Sequence, residues 1–429
     1  MKRARWRSTN FRLRSRMAPP LRVPLRLAAL AGVVVFAVLV LPNAGEPRAL
    51  LTLDDFGAVG DGIANDTQAF LAAWTAACTS DEEAVLAVPP GKTYRIWPVK
   101  LTGPCRKKLK LLISGTIVAP ASPDDWAGWM PERWLHIYGV DDLSVSGGGT
   151  IDGMGQQWWA STCKRKKTQP CYEGPRPKTV QFEKCRGVSM QGVKLQNAPL
   201  FHLTFTRCSD VTASFLQVIA PADSPNTDGI HLLESSHARI TDNLISTGDD
   251  CVSIVGNCSD ILVKDVSCGP GHGISIGSLG KNGTTDMVEN VNVESCLLTN
   301  TTNGVRIKTW QGGLGLARNL RFESIVMRNV SNPIIIDQYY CDQPTPCTNQ
   351  TQAVQVRNVE FTGIRGTSAS KKAVKLACSD AVPCQKLEMK NVNLTLEGGG
   401  KASAFCYRAL GESSGTMLPP SCLDQHAIF

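Results

Sequence analysis

The sequence predicts an all-β fold: a single-domain, right-handed parallel β-helix with one short helix capping its N-terminal end. A short run of alternating residues, rich in β-branched side chains, returns nine times between residues 140 and 400, mostly at intervals of roughly 22 to 30 residues. Such a run cannot bury its apolar side alone, so neighbouring runs must stack. No long amphipathic stretch separates the runs, which disfavours βαβ units. The nine runs are Leu143–Ser146, Val188–Gln191, Val211–Ser214, Ala238–Thr241, Ile261–Lys264, Val291–Glu294, Leu320–Glu323, Val359–Thr362 and Leu387–Lys390.

The capping helix is predicted to begin at Asp66 and to end at Cys78. The side chain of Asn65 or of Asp66 can accept hydrogen bonds from the free backbone N–H groups of the first turn. The apolar face of this helix consists of Phe70, Leu71 and Trp74. A helix at this end would cover the open edge strands of the first coil. It is the single helix that the sequence predicts, and a leucine-rich horseshoe is disfavoured because the Leu-x-x-Leu-x-Leu register is missing.

The basic charge of the chain is concentrated at its N terminus. The net charge is +8, but residues 1–26 hold nine basic and no acidic side chains, and from residue 45 onward 36 basic side chains face 37 acidic ones. This distribution argues against a nucleic-acid partner. The apolar stretch Leu27–Leu41 is shorter than the about 20 residues of a membrane span, which favours a signal peptide over a Golgi signal anchor. We therefore predict a leader over residues 1–44, a β-helix domain over residues 45–429, and secretion without a stable membrane partner.

Cysteines and glycosylation sequons agree with this compartment. The chain has 16 cysteines but no Cys-x-x-Cys pair or Cys/His cluster with metal spacing, so disulfide bonds are predicted rather than a zinc site. The candidate pairs are Cys163 with Cys171, Cys341 with Cys347, Cys378 with Cys384, and Cys251 with Cys258 or Cys268. The asparagines of N-glycosylation sequons are Asn65, Asn257, Asn282, Asn300, Asn329, Asn349 and Asn393.

Four polar motifs fall on consecutive coils of the predicted array. They are Asn226–Asp228, Gly248–Cys251, Gly271–Gly273 and Arg306–Lys308. Asp228, Asp250 and His272 follow one another at intervals of 22 residues, so one coil separates each from the next. Equivalent positions of neighbouring strands lie about 4.7–4.9 Å apart, so these side chains and Asp249 should form a ladder on one face. The Arg-x-Lys pair of the last motif should project to the same side of its strand.

This grouping is suited to the cleavage of an acidic glycoside. Three carboxylates at such spacing cannot all ionise independently, so at least one pKa should rise and keep a proton available. Glycoside cleavage needs one carboxylic acid for the leaving oxygen and one carboxylate that activates water or attacks the sugar. The basic pair matches a substrate whose sugars bear carboxylates. Each motif alone is more often a turn or a solvated surface. The common register of the four motifs favours a catalytic site. Hydrolysis needs no cofactor, and no set of metal ligands stands out in the sequence.

Together these motifs resemble those of the plant polygalacturonases of glycoside hydrolase family 28. The residues that carry the resemblance are Ser224–His231, Thr247–Ile254, Gly269–Gly277, Arg306–Lys308 and Ile334–Cys341, with supporting matches at Asp54–Gly62 and Gly149–Gly153. The resemblance extends roughly over residues 50 to 410. It implies a pectin-lyase-like β-helix that hydrolyses the α-1,4-galacturonosyl linkages of pectin by inversion, in one displacement by water.

The resemblance also implies a role for each site residue. Asp249 would be the general acid, and Asp228 and Asp250 would hold and activate the water. His272 would tune the acid. The substrate-binding residues would be Arg306, Lys308, Tyr340 and Asn226. The coil spacing by itself does not choose between inversion and retention.

Several alternatives stay open from the sequence alone. The segment Asn197–His202 departs from the Asn-Ser-Gln-Gln that plant relatives often carry, which puts the expected endo mode of cleavage in doubt. A calcium-dependent pectate lyase, a hydrolase of rhamnogalacturonan or xylogalacturonan, and a non-catalytic protein that binds wall polysaccharide are the competing functions. The basic clusters Arg106–Lys110 and Lys164–Lys167 either guide acidic pectin or simply face water. The expected partner is homogalacturonan in the cell wall, bound by a monomer.

Overall fold

The structure is a computed structural model that describes residues 48–126, 132–164, 171–343, 345 and 347–424. The predicted leader and the lysines and arginine at positions 165–167 lie outside the described residues. The described residues belong to one compact unit. Within these ranges, no helix combines the length and the apolar character that a membrane span requires.

The chain winds as a right-handed parallel β-helix, which confirms the predicted fold class. Among the described strands, every strand pair is parallel, and each strand lies against the equivalent strand of the neighbouring coil. Successive coils thereby build three stacks of strands. The second and third stacks form one 24-stranded sheet, because β33 pairs with both β30 and β31, and the first stack is a separate 11-stranded sheet.

The strand bounds are grouped here by stack. The first stack consists of β5 (Val99–Thr102), β8 (Arg133–Tyr138), β11 (Lys178–Glu183), β14 (Leu203–Thr206), β17 (Ile230–Leu233), β20 (Val252–Val255), β23 (Ile274–Leu279), β26 (Asn303–Trp310), β29 (Asn332–Tyr340), β32 (Lys372–Ala377) and β34 (Ser403–Tyr407). The second consists of β1 (Arg48–Thr52), β3 (Glu83–Val88), β6 (Leu109–Ile113), β9 (Leu143–Ser146), β12 (Ser189–Gln191), β15 (Ser209–Ser214), β18 (Ser236–Thr241), β21 (Cys258–Lys264), β24 (Thr285–Glu294), β27 (Leu314–Glu323), β30 (Gln355–Thr362), β33 (Cys384–Leu396) and β35 (Ala409–Leu418). The third consists of β2 (Asp61–Asn65), β4 (Thr93–Arg95), β7 (Thr116–Val118), β10 (Thr150–Asp152), β13 (Lys194–Gln196), β16 (Gln217–Ile219), β19 (Leu244–Ser246), β22 (Ser267–Cys268), β25 (Leu297–Thr299), β28 (Val326–Val330) and β31 (Arg365–Ser368).

The nine runs found in the sequence all lie in the second stack. From the third run onward, the first residue of each run is the register partner of the first residue of the next. The residue before a run has a positive φ, as at Asn290, Asn319 and Asn358, a conformation that asparagine adopts more readily than most residues. The amide of Asn319 donates to Oδ1 of Asn290 at 3.0 Å, and that of Asn358 to Oδ1 of Asn319 at 3.0 Å. This ladder explains why Asn recurs in the repeat.

The predicted capping helix is present as α1 (Thr67–Cys78) and packs against the end strands β1 and β5. Phe70 and Trp74 are buried beneath it. Asp66 does not cap its first turn, because the carboxylate accepts from the backbone N–H of Val59 at 2.7 Å, and Asn65 accepts from the N–H of Thr67 instead.

A second helix, α2 (Gln156–Ser161), shows that the prediction of a single helix was wrong. Six residues are too few to display a helical period, and α2 is anchored by the buried rings of Trp158 and Trp159. The remaining helical turns are 3-10 turns at Leu53–Phe56, Pro123–Trp126 and Lys281–Gly283.

Six disulfide bonds join described residues. They are Cys78–Cys105, Cys163–Cys171, Cys251–Cys268, Cys341–Cys347, Cys378–Cys384 and Cys406–Cys422. The structure selects Cys268 over Cys258 as the partner of Cys251, and Cys258 is a buried free thiol. The first and last bonds, whose partners are 27 and 16 residues apart, were not among the pairs predicted from the sequence.

Candidate active site

The predicted ladder of polar residues forms at one edge of the first stack. Asp228, Asp250 and His272 each lie two residues before a strand, namely β17, β20 and β23, and these strands pair in register. The ladder continues into the turns, because the N–H of Gly229 donates to the carbonyl of Asp250 at 2.9 Å. The equal spacing in sequence therefore becomes equal spacing in space.

Asp249 and His272 form an ion pair on the cleft side of this ladder. Nδ1 of His272 lies 3.0 Å from Oδ1 of Asp249, and the amide of Asn226 donates to Oδ2 of Asp249 at 3.3 Å. Burial favours the neutral form of Asp249, but the hydrogen bond and charge of His272, with the charge of Lys308, lower its pKa to about 2. The same hydrogen bond raises the pKa of His272 above its ordinary value. These opposite pKa shifts favour a proton on His272 over one on Asp249.

Asp228 is the carboxyl group whose pKa rises, as the sequence led us to expect of at least one. Burial is the largest cause of the rise in the pKa of Asp228, and the charges of Asp249 and Asp250 add to it. A hydrogen bond from His231 acts in the opposite direction and lowers this pKa. The hydroxyl of Ser253 donates to Oδ2 of Asp228 at 2.7 Å and lies 2.7 Å from Nδ1 of His231. These contacts hold the carboxyl group in one orientation.

Asp250 is a buried carboxylate held by two cations. Its Oδ1 accepts from the guanidinium of Arg306 at 2.7 Å and from the hydroxyl of Ser275 at 2.8 Å, and its Oδ2 accepts from Nζ of Lys308 at 2.9 Å. Burial disfavours the charged form of Lys308, but the charge of Asp250 outweighs it and raises the lysine pKa. The two basic residues among those predicted to bind substrate, Arg306 and Lys308, therefore lie at the site, and both pair with Asp250.

Tyr340 completes the cationic side of the site. The ammonium of Lys308 lies 5.3 Å from the centre of the Tyr340 ring, which meets Trp310 edge to face at 5.4 Å. The neighbouring Tyr339 donates its hydroxyl to Asp380 instead, at 3.4 Å. The structure thus brings Tyr340 to the cleft, as predicted.

Sequence reasoning missed several supporting residues. Ser253 and Ser275 are register partners, and each lies three residues after a ladder position, so extending the coil spacing would have found them. Arg176 had no such signal. It donates to the carbonyls of Pro199 and Pro225 and to Oδ1 of Asn226, at 2.7 to 2.9 Å. Arg176 thereby orients the amide that donates to Asp249.

The site opens into a groove. A cleft of about 350 Å³ is lined by Asp249, His272 and Tyr340, and a second of about 720 Å³ adjoins it. Both clefts share Lys164 and Asp342, whose side chains form an ion pair at 3.1 Å. The two residues adjoin the disulfide-closed loops Cys163–Cys171 and Cys341–Cys347 and so link them beside the site.

Three side chains of the site lie close enough together to face a single metal ion. Oxygen and nitrogen atoms of Asp249, Asp250 and His272 lie within 4.8 Å of one another. Both oxygens of Asp250 already accept from cationic side chains, and the imidazole is held by Asp249. This set is poorly suited to a divalent cation, because a divalent ion would have to compete with three positive groups.

Comparison with known proteins identifies the family. The sequence matches the model of the glycosyl hydrolases family 28 over residues 78–414. The chain belongs to this family. The hydrolase is 47% identical over 387 residues to a probable polygalacturonase of Arabidopsis thaliana, covering 90% of this chain and 87% of that protein. It is 46% identical to a polygalacturonase of Persea americana, covering 84% of this chain and 77% of the relative.

A solved structure shares the fold of this family 28 hydrolase. The endo-xylogalacturonan hydrolase from Aspergillus tubingensis superimposes with a TM-score of 0.73 at 22% identity, covering 86% of this chain and 100% of the other. The cluster of Asp228, Asp249, Asp250 and His272 lies entirely within the residues that match the family.

Proposed function

We propose that this hydrolase is a polygalacturonase that cleaves the α-1,4-galacturonosyl linkages of homogalacturonan by inversion. The observation that carries the proposal is the grouping of three carboxylates with two cations at one cleft. An acid, a water-activating pair and a binding site for sugar carboxylates are the groups that this reaction requires. The names of the relatives support the same substrate.

Asp249 acts as the general acid and receives its proton from His272. In the free site the proton resides on Nδ1 of His272, 3.0 Å from Asp249. A galacturonate carboxylate that binds beside Arg306 and Lys308 adds negative charge near Asp249 and engages Lys308, one of the cations that lower the pKa of Asp249. Substrate binding therefore shifts the shared proton to Asp249, which donates it to the glycosidic oxygen.

Asp228 and Asp250 hold the attacking water. The two carboxyl groups lie on adjacent rungs and are fixed by Ser253 and Ser275, so a water between them meets two acceptors in defined orientations. Asp250, held by Arg306 and Lys308, accepts the proton that the water loses. Attack from this side opposite the acid inverts the anomeric configuration.

The endo mode of cleavage is supported by the place of the site in the fold. Asp249 and Asp250 precede β20, which is the sixth of the 11 strands in the first stack. A polymer laid along this stack has five strands on either side of the point of cleavage. Binding of an internal segment of the chain is therefore favoured over binding of an end.

We further propose that residues 1–44 are a leader and that the catalytic domain, residues 45–429, acts as a secreted monomer on wall pectin. Six disulfide bonds suit an oxidising compartment. All sequon asparagines except the half-buried Asn329 are exposed to solvent, as glycosylation in the secretory pathway requires.

The test is incubation of the purified protein with de-esterified polygalacturonate, with and without a calcium chelator, following reducing ends and ultraviolet absorbance. We expect new reducing ends without absorbance, unaffected by chelator and lost in Asp249→Asn. Asp242→Asn is the matched control, because Asp242 is exposed in a distant turn with a positive φ that asparagine tolerates. Calcium-dependent absorbance would contradict hydrolysis in favour of a lyase.

A further inference from the structure

Two aromatic rings stand exposed at the end of the sheet that carries the active site. Phe405 and Tyr407 of β34 are 41% and 42% exposed. Their neighbours Ala404 and Cys406 point the opposite way and pack against the core. Both rings therefore lie on the outer face of the first stack, where large exposed apolar groups mark binding surfaces.

The register places these rings in line with the catalytic cleft. Phe405 pairs with Lys375, which pairs with Ile335, which pairs with Arg306. Three rungs separate Phe405 from the arginine at the site, a distance of about 14 Å. Tyr407 pairs with Ala377 of β32, which pairs with Asp337 of β29. Asp337 in turn pairs with Lys308.

Cationic groups accompany the rings. Nζ of Lys372 lies 5.2 Å from the centre of the Phe405 ring. Lys375 is the register partner of Phe405 on the preceding coil. The hydroxyl of Tyr407 is hydrogen-bonded to Asp380, which fixes the ring at the edge of the platform. An apolar ring beside an ammonium group matches a galacturonate unit, whose pyranose has an apolar C–H face and whose C6 is a carboxylate.

We propose that Phe405 and Tyr407, with Lys372 and Lys375, form a remote binding platform for the galacturonan chain. The platform takes a sugar about five units beyond the point of cleavage, since β34 lies five strands beyond β20 and a pyranose ring advances a chain by about one rung. This inference rests on the proposed function. The platform makes cleavage depend on chain length, because only a long oligomer reaches both the catalytic aspartates and the rings.

The test compares galacturonate trimer and octamer as substrates of the native protein and of Phe405→Ala/Tyr407→Ala. We expect kcat/KM of the double variant to fall about tenfold on the octamer and less than about twofold on the trimer, the scale of lost aromatic contacts. Phe405→Tyr should retain the native preference for the octamer. Phe215→Ala is the matched control, because Phe215 is 63% exposed but lies between the second and third stacks.

Three outcomes separate the platform from the proposed activity. A native protein that cleaves neither oligomer nor polymer would refute the proposed function and the platform with it. An active native protein whose double variant keeps the native octamer-to-trimer ratio would refute the platform alone. An equal loss on both oligomers would also refute it, since that result indicates damage to the catalytic end rather than to a remote subsite.

Discussion

Nδ1 of His272 lies 3.0 Å from Oδ1 of Asp249, and this contact sets the charge of both groups in the free enzyme. It lowers the pKa of Asp249 to about 2 and raises that of His272. In the proposed mechanism Asp249 is the general acid, and His272 beside it supplies the proton that the acid donates. The pairing therefore couples binding of an anionic sugar to the acid's protonation.

The first prediction concerns the pH dependence of stability. The stability that Asp249 contributes is present at pH values above its ordinary pKa of 3.8. It is lost as pH falls through about 2, because folding lowers that pKa. The stability that His272 contributes is present below its ordinary pKa of 6.5 and is lost as pH rises through the raised pKa of the folded protein. His272→Gln should cost about 1 kcal/mol of unfolding free energy between these limits, a figure reduced for partial exposure. Denaturant titrations at several pH values measure it, and a pH-independent difference would contradict the ion pair.

The second prediction tests Ser253 as a positioning residue. Its hydroxyl donates to Asp228 at 2.7 Å and so stabilises the charged carboxylate. Ser253→Ala should raise the pKa of Asp228 further and move the acidic limb of the pH–rate profile to higher pH, with about a tenfold loss in kcat. Ser253→Thr keeps the hydroxyl and should restore the native profile. If kcat falls but the acidic limb of the pH–rate profile does not move, Ser253 has only a structural role.

The third prediction concerns the buried charge of Asp250. Lys308→Met leaves this carboxylate with Arg306 and Ser275, and it should lower the unfolding free energy by about 2 kcal/mol. Adding Asp250→Asn to this variant should cost less than Asp250→Asn costs in the native protein, because one of the two cations that the carboxylate holds is already gone, and activity stays absent. The matched control is Lys264→Met, which breaks an exposed ion pair with Glu294 and should cost less stability than Lys308→Met. Additive losses in the double variant would contradict the coupling.

The fourth prediction concerns the ion pair beside the cleft, whose two members should affect the binding of substrate in opposite ways. Lys164 and Asp342 are each 51% exposed, so breaking the pair should leave stability within about 1 kcal/mol of native. Asp342→Asn frees a cation for the polymer and should lower KM for polygalacturonate, whereas Lys164→Met should raise it. Both shifts should weaken at high salt, which screens exposed charges. Equal shifts in the same direction would show that the pair acts by shaping the loops.

The repeat made much of this architecture predictable. The alternating runs, often preceded by Asn or Asp, made the stacking of the second stack predictable. The 22-residue spacing of the polar motifs made the ladder from Asp228 to His272 predictable. What the sequence did not reveal depends on contacts between distant coils. Arg176 binds backbone carbonyls, which have no sequence signature, and the bond Cys78–Cys105 joins a helix to a loop that is distant in sequence. Helix α2 is too short to show a period.

The most direct test of the account is the configuration of the first product. Proton nuclear magnetic resonance of freshly cleaved galacturonate oligomers, recorded before mutarotation, shows which anomer of the new reducing end appears first. A water held by Asp228 and Asp250 opposite the acid Asp249 predicts the β-anomer from the α-linked substrate. Initial appearance of the α-anomer would contradict the single displacement and would require one of these carboxylates to act as a nucleophile.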